Sequence, residues 1–253
     1  MKPALFVRRF GDGSPTLLLL HGLGVNGDVW NRFRERLGNW PGRIVVPDLR
    51  GHGRSPHAPS YSDDDHAADI VELLSRDDEV YIVGHSMGGM ISLVLSDGGF
   101  PVSVKGLFAF GVKAAWTDEE RAKLKAFSDA PAKVFATRAE AAERFLKASG
   151  LKDIADAGDP VVEAGLVKVA MGYRLAADPR TTMVAGTSLQ QAFDASRAAK
   201  QLACGEKDAL VTFAQLRAID PAAISLGPYG HNIHVENPDR LVDSVPFLAT
   251  KGQ

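Results

Sequence analysis

The chain has 253 residues, 45% of them hydrophobic and 24% charged, with 29 basic against 31 acidic side chains and a single cysteine. That is enough chain to bury a full core, and the make-up excludes a disordered segment, a basic nucleic-acid-binding surface and a disulfide-stapled scaffold. No apolar run approaches the roughly 20 residues of a membrane-spanning helix, and Arg8 and Arg9 interrupt the apolar stretch a signal peptide needs; the expectation is a cytoplasmic protein, monomeric or homodimeric, with no membrane or nucleic-acid partner.

Leu5–Phe10 predicts an edge hairpin strand. Short apolar runs follow at Leu17–Leu20, Ile44–Val46, Val80–Val83, Gly106–Phe110, Leu202–Ala203 and Ile224–Leu226. Several do not alternate, which is the pattern of strands buried on both faces of a mostly parallel sheet. Helices are expected between them: one capped by Ser62 ahead of Ile70, Leu73 and Leu74, one starting after Thr212, and one starting at Asn237-Pro238. Strand alternating with helix is an α/β fold.

From about Lys113 to Arg197 the alternation stops, and no strand is evident. Thr117-Asp118-Glu119-Glu120 and Thr137-Arg138-Ala139-Glu140 read as capping boxes, and Asp159-Pro160 and Asp178-Pro179 as caps followed by proline at the first helical position. About four helices in a row predict a helical insertion, residues 113–197, into a sheet domain made of residues 1–112 and 198–253.

Gly84-His85-Ser86-Met87-Gly88 matches G-x-S-x-G. The bare pattern is weak, but here a strand precedes it and an apolar helix-like run, Met90–Leu95, follows, as a nucleophile elbow requires. Serine needs a base to attack at neutral pH. Gly230-His231-Asn232-Ile233-His234 follows the last strand, at the sheet edge where Ser86 would sit. His231 is preferred over His234. A carboxylate must then hold the imidazole: Asp208 in Gly205-Glu206-Lys207-Asp208, with Glu206 as its rival. The N–H groups of Met87, at a helix start, and Leu23, in His21-Gly22-Leu23-Gly24, are the expected oxyanion donors. His21 reads as a brace for that loop. Asp63-Asp64-Asp65-His66 looks metal-like, but acids at a helix start explain it, and Cys204 reads as a buried strand thiol.

In chain order, His21-Gly22-Leu23-Gly24, Pro47-Asp48-Leu49-Arg50-Gly51-His52-Gly53-Arg54-Ser55, Gly84-His85-Ser86-Met87-Gly88-Gly89, Gly205-Glu206-Lys207-Asp208 and Gly230-His231 with Glu236-Asn237-Pro238 resemble the α/β-hydrolase fold superfamily. The order Ser86, Asp208, His231 is that of the superfamily. Lys200-Gln201 departs from it, where a proline and apolar residues are usual. The resemblance implies a structural role for His52 and Arg54, a lid formed by residues 113–197, and no metal or cofactor. A serine at the elbow argues against the epoxide hydrolases and haloalkane dehalogenases of this fold, which use aspartate.

The expected activity is hydrolysis of a small carboxylic ester or lactone through an acyl-enzyme on Ser86. Two alternatives stand beside it: a carbon–carbon hydrolase of a dienoate-type diketone, which needs an arginine-lined carboxylate site (Arg138 or Arg174), and a catalytically slow ligand receptor. Trp116, Phe127, Phe135, Phe145, Met171 and Tyr173 are the expected pocket linings from the lid.

Overall fold

Thr16–Leu20 (β2) is buried at every position, which requires a strand covered on both faces. Its leucines divide with the two-residue period of a strand. Leu18 and Leu20 face a core layer shared with Ile70, Ile91, Leu95, Leu189 and Leu216, while Leu17 and Leu19 face one shared with Trp30, Phe33, Ile233 and Leu241. The result is a sheet between two helical layers. A computed structural model describes residues 4–184 and 188–248 of this architecture.

Among the described residues the main sheet has seven strands in the order β1-β3-β2-β4-β5-β8-β9. They are β1 (Val7–Phe10), β2, β3 (Ile44–Pro47), β4 (Glu79–His85), β5 (Ser103–Phe110), β8 (Ala199–Cys204) and β9 (Ile224–Ser225). All pairings are parallel except that of β1. This first strand is at the edge, as expected, but it is not half of a hairpin: it runs antiparallel to β3, because the buried β2 is already paired on both sides. Lys200 and Gln201 lie within β8, opposite Leu107 and Phe108. Their polar ends are satisfied at Ser196 O and Ala222 O.

The helices are α1 (Asn31–Leu37), α2 (Asp63–Val71), α3 (Met87–Leu95), α4 (Asp118–Asp129), α5 (Arg138–Ala148), α6 (Pro160–Ala164), α7 (Leu189–Ala195), α8 (Phe213–Ile219), α9 (Ile233–Glu236) and α10 (Pro238–Ser244). Ser62, Thr117, Thr137 and Thr212 each close a reciprocal capping box, so four helix starts follow from local chemistry.

The lid region departs from the expected all-helical insertion. Leu166–Val169 (β6) and Gly172–Leu175 (β7) form an antiparallel hairpin, extended by a backbone bridge from Phe135 to Tyr173. Four residues of Leu-Val-Lys-Val are too short a run to stand out among alanine-rich helices. After Asp178-Pro179 the chain forms a 3-10 segment, Pro179–Val184, not an α-helix. The hydroxyls of Thr181 and Thr182 donate to the carbonyls three residues back, a local bonding pattern that competes with α-helical turns. The last helix of the 113–197 span, α7, packs Leu189 and Ala192 into the layer that holds α3.

Candidate active site

The strand register brings the ends of the parallel strands level. Leu20 lies opposite Gly84, His85 opposite Phe110, Phe110 opposite Ala203, and Ala203 opposite Ile224. The loops that leave these strands therefore emerge along one edge, and they carry Leu23, Ser86, Asp208 and His231.

Ser86 occupies the turn between β4 and α3 with φ 51° and ψ −114°. A non-glycine residue at positive φ costs of order 1–3 kcal/mol and persists only where its surroundings enforce it. They do here: Ser86 N–H donates to Phe110 O at 2.8 Å and Ser86 O accepts from Met90 N–H at 3.1 Å. The flanking glycines remove bulk where the chain closes on itself. A Cβ at Gly88 would fall 2.3 Å from Leu20 O, and one at Gly84 would fall 2.7 Å from Gly88 O.

Asp208 Oδ2 accepts from His231 Nδ1–H at 2.9 Å, and its Oδ1 accepts from Leu210 N–H at 2.8 Å. Only 1% of the Asp208 side chain is exposed, so its charge is aimed at the imidazole. A carboxylate can only accept, which places the His231 proton on Nδ1 and leaves the Nε2 lone pair free to take another. Glu206 is exposed and bonded instead to Ser225 Oγ at 3.0 Å. His234 is fully buried against the rings of Trp30, His85 and Phe110. Burial pushes its pKa down to about 3, and no carboxylate orients it.

Three further histidines, His21, His52 and His85, are braces. His21 Nε2 accepts from Leu49 N–H at 2.9 Å, so Nδ1 carries the proton and donates to Gly22 O at 2.8 Å; this pins the loop that presents Leu23. His52 Nδ1–H donates to Arg50 O, and Arg54 holds Asp48 and Asp28. His85, next to Ser86, is buried and held neutral by desolvation. Its Nε2–H donates to His231 O at 3.0 Å, and its ring centroid lies 4.5 Å from that of His231. One side chain thus links the elbow to the loop of the candidate base, a role that the sequence analysis missed.

Leu23, Ser86, Met87 and His231 line one cavity of about 640 Å³. Met87 opens α3, so its N–H belongs to the unpaired first turn. Of the six expected lid residues, Trp116 lines this cavity and the other five do not. Phe145 is buried in the core under Gly165. Phe127 and Met171 are 46% and 83% exposed. Phe135 and Tyr173 are committed to the hairpin bridge. Arg138 pairs with Glu163, and Arg174 faces a separate small cleft.

The cavity wall contributed by Lys147–Ile154 was not anticipated either. It is tied to the sheet domain through main-chain oxygens. Asn232 Nδ2 donates to Ser149 O and Gly150 O, both at 3.1 Å; Arg32 donates to Ile154 O at 2.9 Å; Asn26 Nδ2 donates to Val161 O at 2.8 Å. Asn232 is next to His231 in sequence. That adjacency is the one signal that could have marked it.

Asp63 opens α2, buried, and Asp65 caps the same helix. Cys204 is buried in β8, where burial pushes its thiol up to about 11. Among the described residues no helix is long and apolar enough to cross a membrane.

A sequence profile of the alpha/beta hydrolase family matches residues 17–244. The chain belongs to that family. Among curated alpha/beta hydrolase relatives, lipase LipV of Mycobacterium tuberculosis is 38% identical over 95 residues, 36% of each chain. A pimeloyl-[acyl-carrier protein] methyl ester esterase of Vibrio vulnificus is 33% identical over 135 residues, 51% of each. These matches span about a third to a half of the relatives' length. The thioesterase domain of the curacin biosynthetic pathway superposes with a TM-score of 0.77 over 96% of this chain and 94% of its own, at 22% identity. At that identity the likeness concerns the fold.

Proposed function

We propose that the protein is a serine hydrolase of small carboxylic esters or lactones. The observation that carries this reading is His231, held by the buried Asp208 and lining the same cavity as Ser86, which is held at positive φ on a strand-to-helix turn. The naming of curated relatives as a lipase and a methyl ester esterase supports ester chemistry.

His231 Nε2 takes the Ser86 Oγ proton as Oγ attacks the carbonyl carbon. The carbonyl electron pair moves to oxygen, and that oxyanion accepts from the N–H groups of Leu23 and Met87. As the tetrahedral intermediate collapses, the C–O bond to the leaving alcohol breaks, and imidazolium Nε2–H gives its proton to the alcohol oxygen; a lactone keeps that alcohol tethered. Asp208 stabilises the imidazolium and fixes its tautomer. Water then attacks the acyl-enzyme, its proton passes through Nε2 back to Ser86, and the carboxylic acid departs. The segment between β5 and α7 acts as the lid over this cavity, with Trp116 and residues 147–154 in its wall; α7 itself packs with the sheet domain.

The carbon–carbon hydrolase alternative draws no support from Arg138 or Arg174, which are committed elsewhere. Rapid multiple turnover on p-nitrophenyl esters would exclude the receptor alternative. A fluorophosphonate should add its mass at Ser86, and Ser86→Ala should lower turnover by roughly 10⁴–10⁶. Folded protein that takes no label, or a Ser86→Ala variant with near-normal hydrolysis, would overturn the proposal.

A further inference from the structure

The cavity above Ser86 is apolar at Leu23, Val25, Met90 and Val112, yet three lysines line it: Lys113, Lys147 and Lys152. Among the described residues no arginine does. The lysines have acidic neighbours, but those neighbours stand outside. Lys113 Nζ lies 2.9 Å from Glu120, and Lys147 Nζ lies 2.6 Å from Glu143, whose side chain is 65% exposed; neither glutamate lines the cavity. Ion pairs with such exposed partners are worth little and exchange readily for a better one. Lys152 is exposed and only five residues beyond Lys147.

Two carboxylates also line the cavity, and both are engaged within the protein. Glu236 accepts from Gly230 N–H at 2.9 Å. Asp63 sits at the first position of α2, where the positive end of the helix balances its charge. The lining thus carries three cations against two anions, and the partners of two of those cations lie outside the cavity. The backbone that carries two of the lysines is anchored as well. Lys147 and Lys152 flank Ser149 and Gly150, whose carbonyls are held by Asn232, the residue after His231. The backbone from which these two lysines project is thus tied to the residue beside the base.

Resting on the esterase reading above, we infer that the substrate carries an anionic oxygen group, a carboxylate or a phosphate, several bonds from the scissile ester. Lys147 and Lys152 receive it at the cavity mouth, with Lys113 contributing from the segment after β5. The apolar surface between Leu23 and Val112 holds the intervening hydrocarbon. A neutral ester of the same length leaves this edge unused.

The test compares monomethyl esters of linear dicarboxylic acids with the matching dimethyl esters, with methyl esters of phosphorylated hydroxy acids as the second anion source. At low salt kcat/KM for the monoanion should exceed that of the diester by about tenfold, the size expected of a charge-assisted contact. The ratio should shrink in 0.5 M salt, where exposed charges are screened at about 4 Å. In a Lys147→Gln/Lys152→Gln variant the ratio should fall to about 1, and Lys147→Arg/Lys152→Arg should keep it. Whichever anion gives the larger ratio identifies the source. A free dicarboxylate should also perturb Trp116 fluorescence in the wild type and not in the glutamine variant. Equal kcat/KM for monoanion and diester, or a preference that survives the glutamine variant, overturns the inference and leaves the esterase reading standing. Lysine-dependent dicarboxylate binding without turnover of any ester does the reverse.

Discussion

Acid should unfold this protein through its histidines before its carboxylates. His66 and His234 are buried with both ring nitrogens lacking a hydrogen-bond partner among the described residues, and burial lowers each pKa to about 3 from 6.5. His21, His52 and His85 are shifted in the same direction by the same cause. With the folded pKa below the unfolded one, the unfolded chain binds the protons first. Stability is then intact above about pH 6.5 and falls as pH drops toward 3. Each such histidine contributes about 1.4 kcal/mol per pH unit inside that window. By pH 4.5 His66 and His234 together remove about 5 kcal/mol, comparable with the whole stability of many domains. Asp178, depressed to about 2, loses its contribution only below the usual carboxylate pKa near 3.8, when most of the histidine loss has already occurred. Urea titrations at half-unit steps from pH 7.5 to 4.5 would measure the slope. His234→Phe, placed among Trp30 and Phe110, should reduce it by one proton. Stability that stays flat between pH 6.5 and 4.5 would refute the reasoning.

Other outcomes follow from single contacts. Asp208→Asn should preserve the fold and lower kcat by roughly 10⁴, because an amide no longer selects the Nδ1–H tautomer; a loss under tenfold in steady-state assays would remove Asp208 from the chemistry. Gly88→Ala should cost more than about 2 kcal/mol in urea unfolding, since its Cβ meets the main chain of Leu20 at 2.3 Å and main chain cannot step aside; an unshifted midpoint would contradict the packing. His85→Leu removes the donor to the His231 carbonyl and should lower kcat with little change in KM, while His85→Gln should restore most of it; equal effects of the two variants would show that the bond is idle. Asn232→Ala strips the donor from two carbonyls and should cost about 1–3 kcal/mol, read as a lower Tm.

The sheet was legible because most of its strands carry a short apolar run bounded by polar or glycine residues, and the capping boxes at Ser62, Thr117, Thr137 and Thr212 announce helix starts in four residues. That Ser86, Asp208 and His231 share one sheet edge was legible because each follows such a strand, and parallel strands deliver their following loops to one edge. The lid resisted reading. Aromatic residues there announce burial but not the side on which they are buried: Phe145 turned into the core and Phe127 to solvent, while only Trp116, close to the end of β5, stayed near the cavity. Lys147 and Lys152 carry no local signal, since a lysine near a helix end is usually solvated. Their position at the cavity arises from the bonds that Asn232 makes to the carbonyls of Ser149 and Gly150, the residues between them, across more than 80 positions of sequence.

The anchoring of the lid wall by Asn26, Arg32 and Asn232 has an evolutionary consequence. Apart from a long Arg32–Asp159 pair, these bonds end on peptide oxygens of the cavity wall and its neighbour Val161, which any residue supplies. Substitutions at positions 147, 149, 152 and 154 can therefore alter the chemistry of the wall without loosening its attachment or moving it relative to His231. Such a scaffold can change what the cavity accepts by point changes, with Ser86, Asp208 and His231 sheltered from each trial.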